Sequence, residues 1–275
     1  KGKDRKTGLI LKFGEGGKIE GWPTLRVFLL DLLLELDAKA AARISREILS
    51  SKTSADEWAI ALRNVAKGER IGGNRDYLRT RAEDLITNPE WQAQPSVGYL
   101  NAFDVLVYTE ATESSPLLSG LIQRKDRHDL AHASFLTLDR LVQLQPLDML
   151  TRLKDDRALQ ESRPEMTAQQ FARADLRDTS QQEIVKLWLL DPSRTQIQLH
   201  HCSAIFPNNN QLISHNLLTS QEQISGADLI AHDRDILAVI RDWKTDPAFE
   251  SRTQYLEVMA KRVSQFVESA DSSSR

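Results

Sequence analysis

Apolar residues recur with the three-to-four-residue spacing of helices from residue 24 to the end of the chain. Residues 24–37 (TLRVFLLDLLLELD) are apolar almost all round, and residues 129–144 and 248–268 each carry one broad apolar face. This spacing predicts helices, and a helix that is apolar on nearly every side must be covered by several neighbours. In the first of these helices, Asp31 and Glu35 lie four residues apart, and we expect this narrow acidic stripe to face water.

The first 23 residues follow a different pattern. Leu9, Leu11 and Phe13 occupy every second position, a glycine-rich stretch follows at residues 14–18 (GEGGK), and apolar residues resume beyond it. Strand-like alternation next to a glycine-rich turn predicts a small β-hairpin. We expect this hairpin, within a charged segment covering residues 1–23, to cap a helical body without chemistry of its own.

Proline, asparagine and glycine divide the rest of the chain into roughly a dozen predicted helices joined by short turns. Residues 154–166 (KDDRALQESRPEM) are the most polar internal stretch, which predicts a loop where a sub-boundary would divide the helical domain of residues 24–268. The serine-rich residues 269–275 predict a disordered tail. The shorter predicted helices include residues 74–87, 97–112 and 211–218.

Two segments of the helical region repeat each other loosely. Residues 28–37 (FLLDLLLELD) and 135–145 (FLTLDRLVQLQ) align with one inserted residue, and a second short helix is predicted directly after each. Such units of helix, tight turn and helix are similar to the HEAT and armadillo class of α-solenoids. The resemblance implies an all-α helix-pair superhelix with a small N-terminal β-hairpin, built from about six units of roughly 40 residues.

Composition and charge narrow the classes of partner. The chain of 275 residues carries 36 Lys and Arg against 39 Asp and Glu, so no excess of positive charge is available for nucleic acid. The longest apolar run, residues 25–36, is interrupted by charges and is too short to span a bilayer, so we expect no membrane insertion. The chain begins at Lys1 rather than Met, which slightly favours an exported or periplasmic protein whose leader has been removed.

His128 and His132 are the strongest candidates for metal ligands. Four residues apart on a helix, they place two imidazoles on one face, which is how a helix offers two nitrogens to zinc. Metalloprotease helices carry a glutamate directly after the first histidine, whereas Asp129 stands here, and the sequence indicates no third ligand. The ordinary interpretation is a solvated helix start beside Arg124 and Arg127.

Cys202 is the single cysteine, which excludes an internal disulfide and any site built from several thiolates. It follows His200 and His201, but adjacent helical residues point about 100° apart, so these three side chains cannot share one ligand. We expect Cys202 to be a small buried apolar residue. The chemical alternative pairs it with the distant His215 as a catalytic nucleophile.

Three further clusters have ordinary structural interpretations. The glycines at residues 14–18 lack the spacing of a phosphate-binding loop, and Asp155 with Asp156 lacks the further acid that would hold magnesium. The acidic residues around His232 precede a predicted helix, where negative charge is favourable to the helix dipole. These residues are Asp228, Asp233 and Asp235.

We therefore expect a non-catalytic helical-repeat protein that presents a binding surface to another protein or to a peptide and needs no cofactor. One alternative is an all-α metal-dependent hydrolase that uses His128 and His132. The other is a sensory or scaffolding domain that acts within a longer chain.

Overall fold

The computed structural model describes residues 4–14, 17–210, 217–220 and 225–273, with side chains through residue 269. Helices make up 74% of the structure, and a two-stranded antiparallel sheet accompanies them, so the expected all-α character is confirmed. The contacts between backbone positions divide the chain into two compact units. The first contains the chain up to Arg140 together with residues 217–220, and the second contains the remainder.

The first unit begins with a hairpin and continues with short and medium helices. Strands β1 (Lys12–Phe13) and β2 (Ile19–Gly21) pair antiparallel, with Lys12 opposite Gly21 and Phe13 opposite Ile19. A 3₁₀ helix spans Thr112–Ser114. The helices are α1 (Leu25–Leu36), α2 (Ala38–Ile48), α3 (Ala55–Gly68), α4 (Ile71–Thr87), α5 (Pro89–Ala93), α6 (Val97–Asn101), α7 (Asp104–Tyr108), α8 (Ser115–Ile122) and α9 (His128–Leu144), whose last residues belong to the second unit.

Helix α3 is the centre of the first unit. It contacts α1, α2, α4 and α6, and nearly every residue from Ala55 to Ala66 is buried. Its first turn is capped by Ser54, whose hydroxyl accepts a hydrogen bond from the Glu57 amide. A helix surrounded in this way has no solvent face, so its polar residues need partners on the neighbouring helices.

The second unit consists of α10 to α16 and a short 3₁₀ helix, Pro247–Arg252. Alternate helices are in contact in order: α10 with α12, α12 with α14, and α14 with α16. Phe171 and Trp188 stack in its core with ring centroids 4.4 Å apart. The helices are α10 (Pro146–Asp155), α11 (Arg157–Ser162), α12 (Pro164–Phe171), α13 (Thr179–Leu190), α14 (Gln196–Ile205), α15 (Gly226–Thr245) and α16 (Thr253–Ser273).

The prediction of a loop at residues 154–166 is wrong. Most of this stretch is helical, and all of it lies within the second unit. Asp156 starts α11 by accepting a hydrogen bond from the Leu159 amide at 2.9 Å. Only Leu159 and Gln160 of α11 are buried, so the helix has too narrow an apolar face to show in the periodicity. Pro164 then occupies the first turn of α12, where proline is tolerated.

Other boundaries also differ from the prediction. The expected helix over residues 97–112 breaks between α6 and α7, where the Val105 and Leu106 amides bond to carbonyls three residues back. Helix α4 begins at Ile71, three residues before the predicted start at residue 74, so it includes Gly72 and Gly73. The predicted helix of residues 211–218 lies mostly outside the described residues.

The predicted disordered tail begins at residue 269, and its described residues belong to helix α16. Helix α16 continues to Ser273, and the Ser269 hydroxyl donates to the carbonyl of Gln265, one turn earlier, at 2.7 Å. Serine hydroxyls within helices commonly make this bond to the carbonyl four residues earlier. Within the described part of the chain, no helix combines the length and apolar character needed to cross a membrane.

Asp104 fastens residues 217–220 to the first unit. This fully buried carboxylate accepts hydrogen bonds from the amides of Leu218 at 2.6 Å and Thr219 at 2.8 Å, and from the Thr219 hydroxyl. Burial raises the pKa of Asp104 to about 6, although these hydrogen bonds and the charge of Arg140 favour the ionised form. The folded protein therefore holds a proton on Asp104 at pH values where an unfolded chain would have released it.

This pKa predicts a pH dependence of stability. Between about pH 4 and pH 6 the folded state binds more protons at Asp104 than the unfolded state, so its contribution to the free energy of unfolding falls as the pH rises. At about 1.4 kcal/mol per pH unit, the loss amounts to about 3 kcal/mol. Chemical denaturation should therefore show that the unfolding free energy of the wild type, relative to that of Asp104→Asn, falls by about this amount from pH 4 to pH 7.

Asp76→Asn is the matched control, because Asp76 lies in the same unit with 92% of its side chain exposed. Its unfolding free energy should follow that of the wild type across the same pH range. Parallel curves for the wild type and Asp104→Asn would contradict the assignment.

Candidate functional site

A groove of about 920 Å³ opens between α1, α2 and the turn that leads into α3. Its apolar lining comes from the facing sides of α1 and α2, and its polar lining lies toward the N-terminal end of α1. The apolar residues are Leu29, Leu30, Leu33, Ile44 and Ile48. A volume of this size falls within the range of ligand-binding clefts, and an apolar floor with a few polar groups is the usual composition of such sites.

Helix caps hold the two walls of the groove close together. Thr24 caps α1 by accepting a hydrogen bond from the Val27 amide, and Asp37 caps α2 by accepting one from the Ala40 amide at 3.0 Å. Asp37 is also the residue that ends α1, so the two helices are joined by a single residue. Such a short connection makes consecutive helices neighbours, which places their apolar side chains on either side of one groove.

Helix α1 presents four leucines outward, beside the groove. Their side chains are between 40% and 74% exposed, and their spacing of four, three and four residues puts them on one side of the helix. The buried residues Val27, Leu30 and Leu34 lie on the other side. We call these four residues the leucine stripe: Leu25, Leu29, Leu32 and Leu36.

The expectation that Asp31 faces water is wrong. Its carboxylate accepts a hydrogen bond from Arg63 Nη2 at 2.7 Å and another from Trp22 Nε1 at 2.8 Å, and only 17% of its side chain is exposed. Arg63 lies on the central helix α3 and is itself buried, so it needs an acidic partner. Helix α1 therefore holds Asp31 on its inner side together with the buried apolar residues, while Glu35 and the leucine stripe are exposed.

The polar end of the groove contains a buried carboxylate. Arg26 Nη1 lies 3.3 and 3.2 Å from the two carboxylate oxygens of Glu57, and the Asp4 carboxylate accepts a hydrogen bond from the Arg26 amide at 3.1 Å. Burial raises the pKa of Glu57, and the charge of Arg26 only partly opposes this. Burial also favours the neutral form of Asp4, but hydrogen bonds from Thr24 and from the Arg26 amide hold its pKa below the usual value.

Two lysines at this end have no acidic partner. Lys6 and Lys52 are exposed on the rim of the groove, and neither forms an ion pair with any residue that the structure describes. Arg26 brings the basic side chains to three, against two acidic ones, Asp4 and Glu57. The polar end therefore carries a positive balance that suits an acidic group on a ligand.

His128 and His132 lie at the surface of the first unit and not in the groove. Both are exposed at the start of α9, with ring centroids 6.3 Å apart. The carboxylate of Asp129 is occupied by Arg127 at 2.8 Å. In the described ranges, no group of three or more His, Cys, Asp or Glu side chains is arranged to hold a metal ion.

The remaining described residues considered in the sequence do not line the groove. Asp156 caps α11, and the Ser225 hydroxyl caps α15 and bonds to Asp228 Oδ2 at 2.6 Å. His232 lies between two carboxylates, with Nδ1 3.0 Å from Asp233 Oδ1 and Nε2 3.6 Å from Asp175 Oδ1. His215 lies outside the described residues, as do Glu15 and Gly16 of the glycine-rich segment at residues 14–18.

The groove is a site that sequence reasoning missed. The signal was present in the near-complete apolar circumference of residues 24–37, which indicated a helix needing cover on several sides. Comparison with protein-family models, with curated proteins and with solved structures finds no match for this chain. The interpretation of the groove therefore depends on its geometry and chemistry.

Cys202 provides a test of how the second unit is packed. Its side chain is completely buried in α14, and burial raises the pKa of its thiol to about 12. Because the thiolate is the reactive form, Ellman's reagent at pH 8 should modify Cys202 slowly in the native protein and rapidly in denaturing guanidinium chloride. Rapid modification of the folded protein would instead indicate an accessible, activated thiol.

Proposed function

We propose that this protein is a non-catalytic helical protein that binds a protein partner, and that the groove and the leucine stripe together receive the apolar face of a partner helix. The observation that carries the proposal is the orientation of α1. Its acidic residue Asp31 points inward to Arg63, while four leucines remain exposed beside an apolar groove. Contiguous exposed apolar surface of this kind marks interaction sites on soluble proteins.

The dimensions of the stripe suit a helix of about three turns. Leu25 and Leu36 are eleven residues apart, which corresponds to about 16 Å along the helix axis. A partner helix laid along the groove would present apolar residues at three- and four-residue spacing to the leucine stripe on one side and to Ile44 and Ile48 on the other.

The charge at the polar end defines the chemistry of the partner. Lys6 and Lys52 carry positive charge on the rim, and the partly exposed Arg26 forms a hydrogen-bonded pair with the buried Glu57 beside them. An acidic residue near one end of the partner helix would pair with the lysines, whereas a basic residue would be repelled. The proposed partner segment is therefore an amphipathic helix with an acidic end.

Two synthetic peptides test this proposal by fluorescence anisotropy. Both carry leucines at the spacing of the leucine stripe, and one has glutamates at its ends where the other has lysines. The glutamate peptide should bind more tightly to the wild type, and Leu29→Gln should weaken that binding by about tenfold, because Leu29 lines both the groove and the stripe. Lys52→Glu should reduce the preference for the glutamate peptide.

Leu187→Gln is the matched control, because Leu187 and Leu29 are both 51% exposed and Leu187 lies in the second unit. This variant should bind the glutamate peptide as the wild type does. Equal loss in both variants would contradict the assignment of the site. A wild type that sediments as a dimer while Leu29→Gln sediments as a monomer would assign the stripe to self-association instead.

For the finer architecture, we infer a repeated, solenoid-like stack in the second unit, of the HEAT or armadillo kind. The support is that α10, α12, α14 and α16 contact one another in series, since alternate helices stack in this way in helical-repeat proteins. In such a stack each helix depends mainly on its neighbours, so stability is distributed along the series.

Leu256→Ala tests this inference by hydrogen exchange with mass spectrometry. Leu256 is completely buried in α16, and its truncation should destabilise the end of the stack by about 2–5 kcal/mol. In a stack, α14 and α16 should lose protection while α10 keeps it. Equal loss of protection in α10 and α14 would indicate a single cooperative core, and the control Val258→Ala, at a 39% exposed position of the same helix, should change neither.

A further inference from the structure

The second unit contains a separate polar pocket of about 380 Å³. It lies between α11, the turn at residues 191–194 and the first residues of α14. Two arginines, Arg157 and Arg194, and two acidic residues, Asp191 and Glu161, are in its lining. The volume is near the lower end of the range for small-molecule sites.

Arg194 is the unusual feature of this pocket. Its side chain is 6% exposed, and its Nη2 lies 2.7 Å from Asp191 Oδ2 and 2.9 Å from Ser193 Oγ. Nε and Nη1 are buried and have no hydrogen-bond partner among the residues that the structure describes. A buried guanidinium donor without an acceptor is costly, so the side chain can accept a further oxygen ligand with a gain in free energy.

The surroundings hold Arg194 in place. Its guanidinium carbon lies 5.8 Å from the centre of the Trp188 ring, and Asp191 is itself bound by the Ser193 amide at 2.8 Å. Partial burial favours the neutral form of Asp191, but hydrogen bonds from Ser193 and Arg194 keep its pKa below the usual value. Asp191 is therefore ionised at neutral pH and fixes one end of the guanidinium, leaving Nη1 for another acceptor.

The charges and walls of the pocket select the class of ligand. The charges of Arg157 and Arg194 are balanced by those of Asp191 and Glu161, so a bound monocarboxylate leaves one net negative charge, whereas a phosphate dianion would leave two. Arg157 is exposed and forms no ion pair with any residue that the structure describes. Pro164 and Ile197 offer apolar surface for a short hydrocarbon part.

We propose that this pocket binds a small organic monocarboxylate, whose oxygens accept hydrogen bonds from Arg194 Nη1 and from the guanidinium of Arg157. The ligand would replace solvent at Arg157 and supply the acceptor that Arg194 lacks. Free short-chain acids and the C-terminal carboxylate of a peptide share this chemistry. This site lies in the second unit and is independent of the groove proposed to bind a helix.

Nuclear magnetic resonance of the full chain tests the proposal directly, because the arginine Nε–H groups give their own signals in proton–nitrogen spectra. The probes are isovalerate for a free acid, N-acetyl-leucine for a peptide terminus, and isovaleramide and inorganic phosphate as competitors of different charge. Either carboxylate should shift the Arg194 Nε–H signal in a saturable way, and the tighter of the two identifies the source. Isovaleramide and phosphate should leave that signal unchanged at the same concentrations.

Arg157→Gln tests whether carboxylates bind at this pocket rather than nonspecifically to exposed arginines. It should weaken carboxylate binding by about tenfold, the effect of losing one charge-assisted hydrogen bond. Arg241→Gln, at an exposed arginine of α15 in the same unit, is the matched control and should bind as the wild type does. The proposal is overturned if neither carboxylate shifts the Arg194 signal, if isovaleramide or phosphate shifts it equally, or if the two variants weaken binding alike.

Discussion

The orientation of α1 depends on one buried ion pair, between Asp31 and Arg63. Arg63 lies on the central helix α3 with 2% of its side chain exposed, where an uncompensated guanidinium would cost several kcal/mol. Asp31 must therefore turn inward, and Trp22 occupies its second oxygen. Once Asp31 is fixed, helical geometry leaves the leucine stripe on the outer side. This pair, together with the burial of Val27, Leu30 and Leu34 on the same inner side, leaves the leucine stripe exposed beside the groove.

Much of the secondary structure could be predicted from periodicity, and the failures have a common cause. Helix α11 buries little more than Leu159 and Gln160, so it shows almost no apolar period. The break between α6 and α7 occurs where Asp104 meets residues more than a hundred positions later in the chain. Apolar periodicity reflects the helical preference of neighbouring residues. These features instead depend on contacts with residues distant in the sequence, so periodicity does not predict them.

The candidate site was less predictable than the fold. On a helical wheel Asp31 belongs to a stripe suited to water, because the wheel does not include Arg63, which lies 32 positions away. His128 and His132 were conspicuous because their spacing is simple, yet they lie at the surface apart from the groove. Arg194 gave no sequence signal, since its importance comes from burial and from missing acceptors. Spacing reveals sites within one helix more readily than sites assembled from several.

The bond between Asp104 and Thr219 also determines when the first unit can be completed during synthesis. The two residues are 115 positions apart, and most of the second unit's early helices lie between them in the chain. At the usual rate of translation a ribosome needs roughly ten seconds to make that interval. During this time the nascent first unit exists with Asp104 unmatched. The contact that closes the first unit therefore forms only after α10 to α14 have been synthesised.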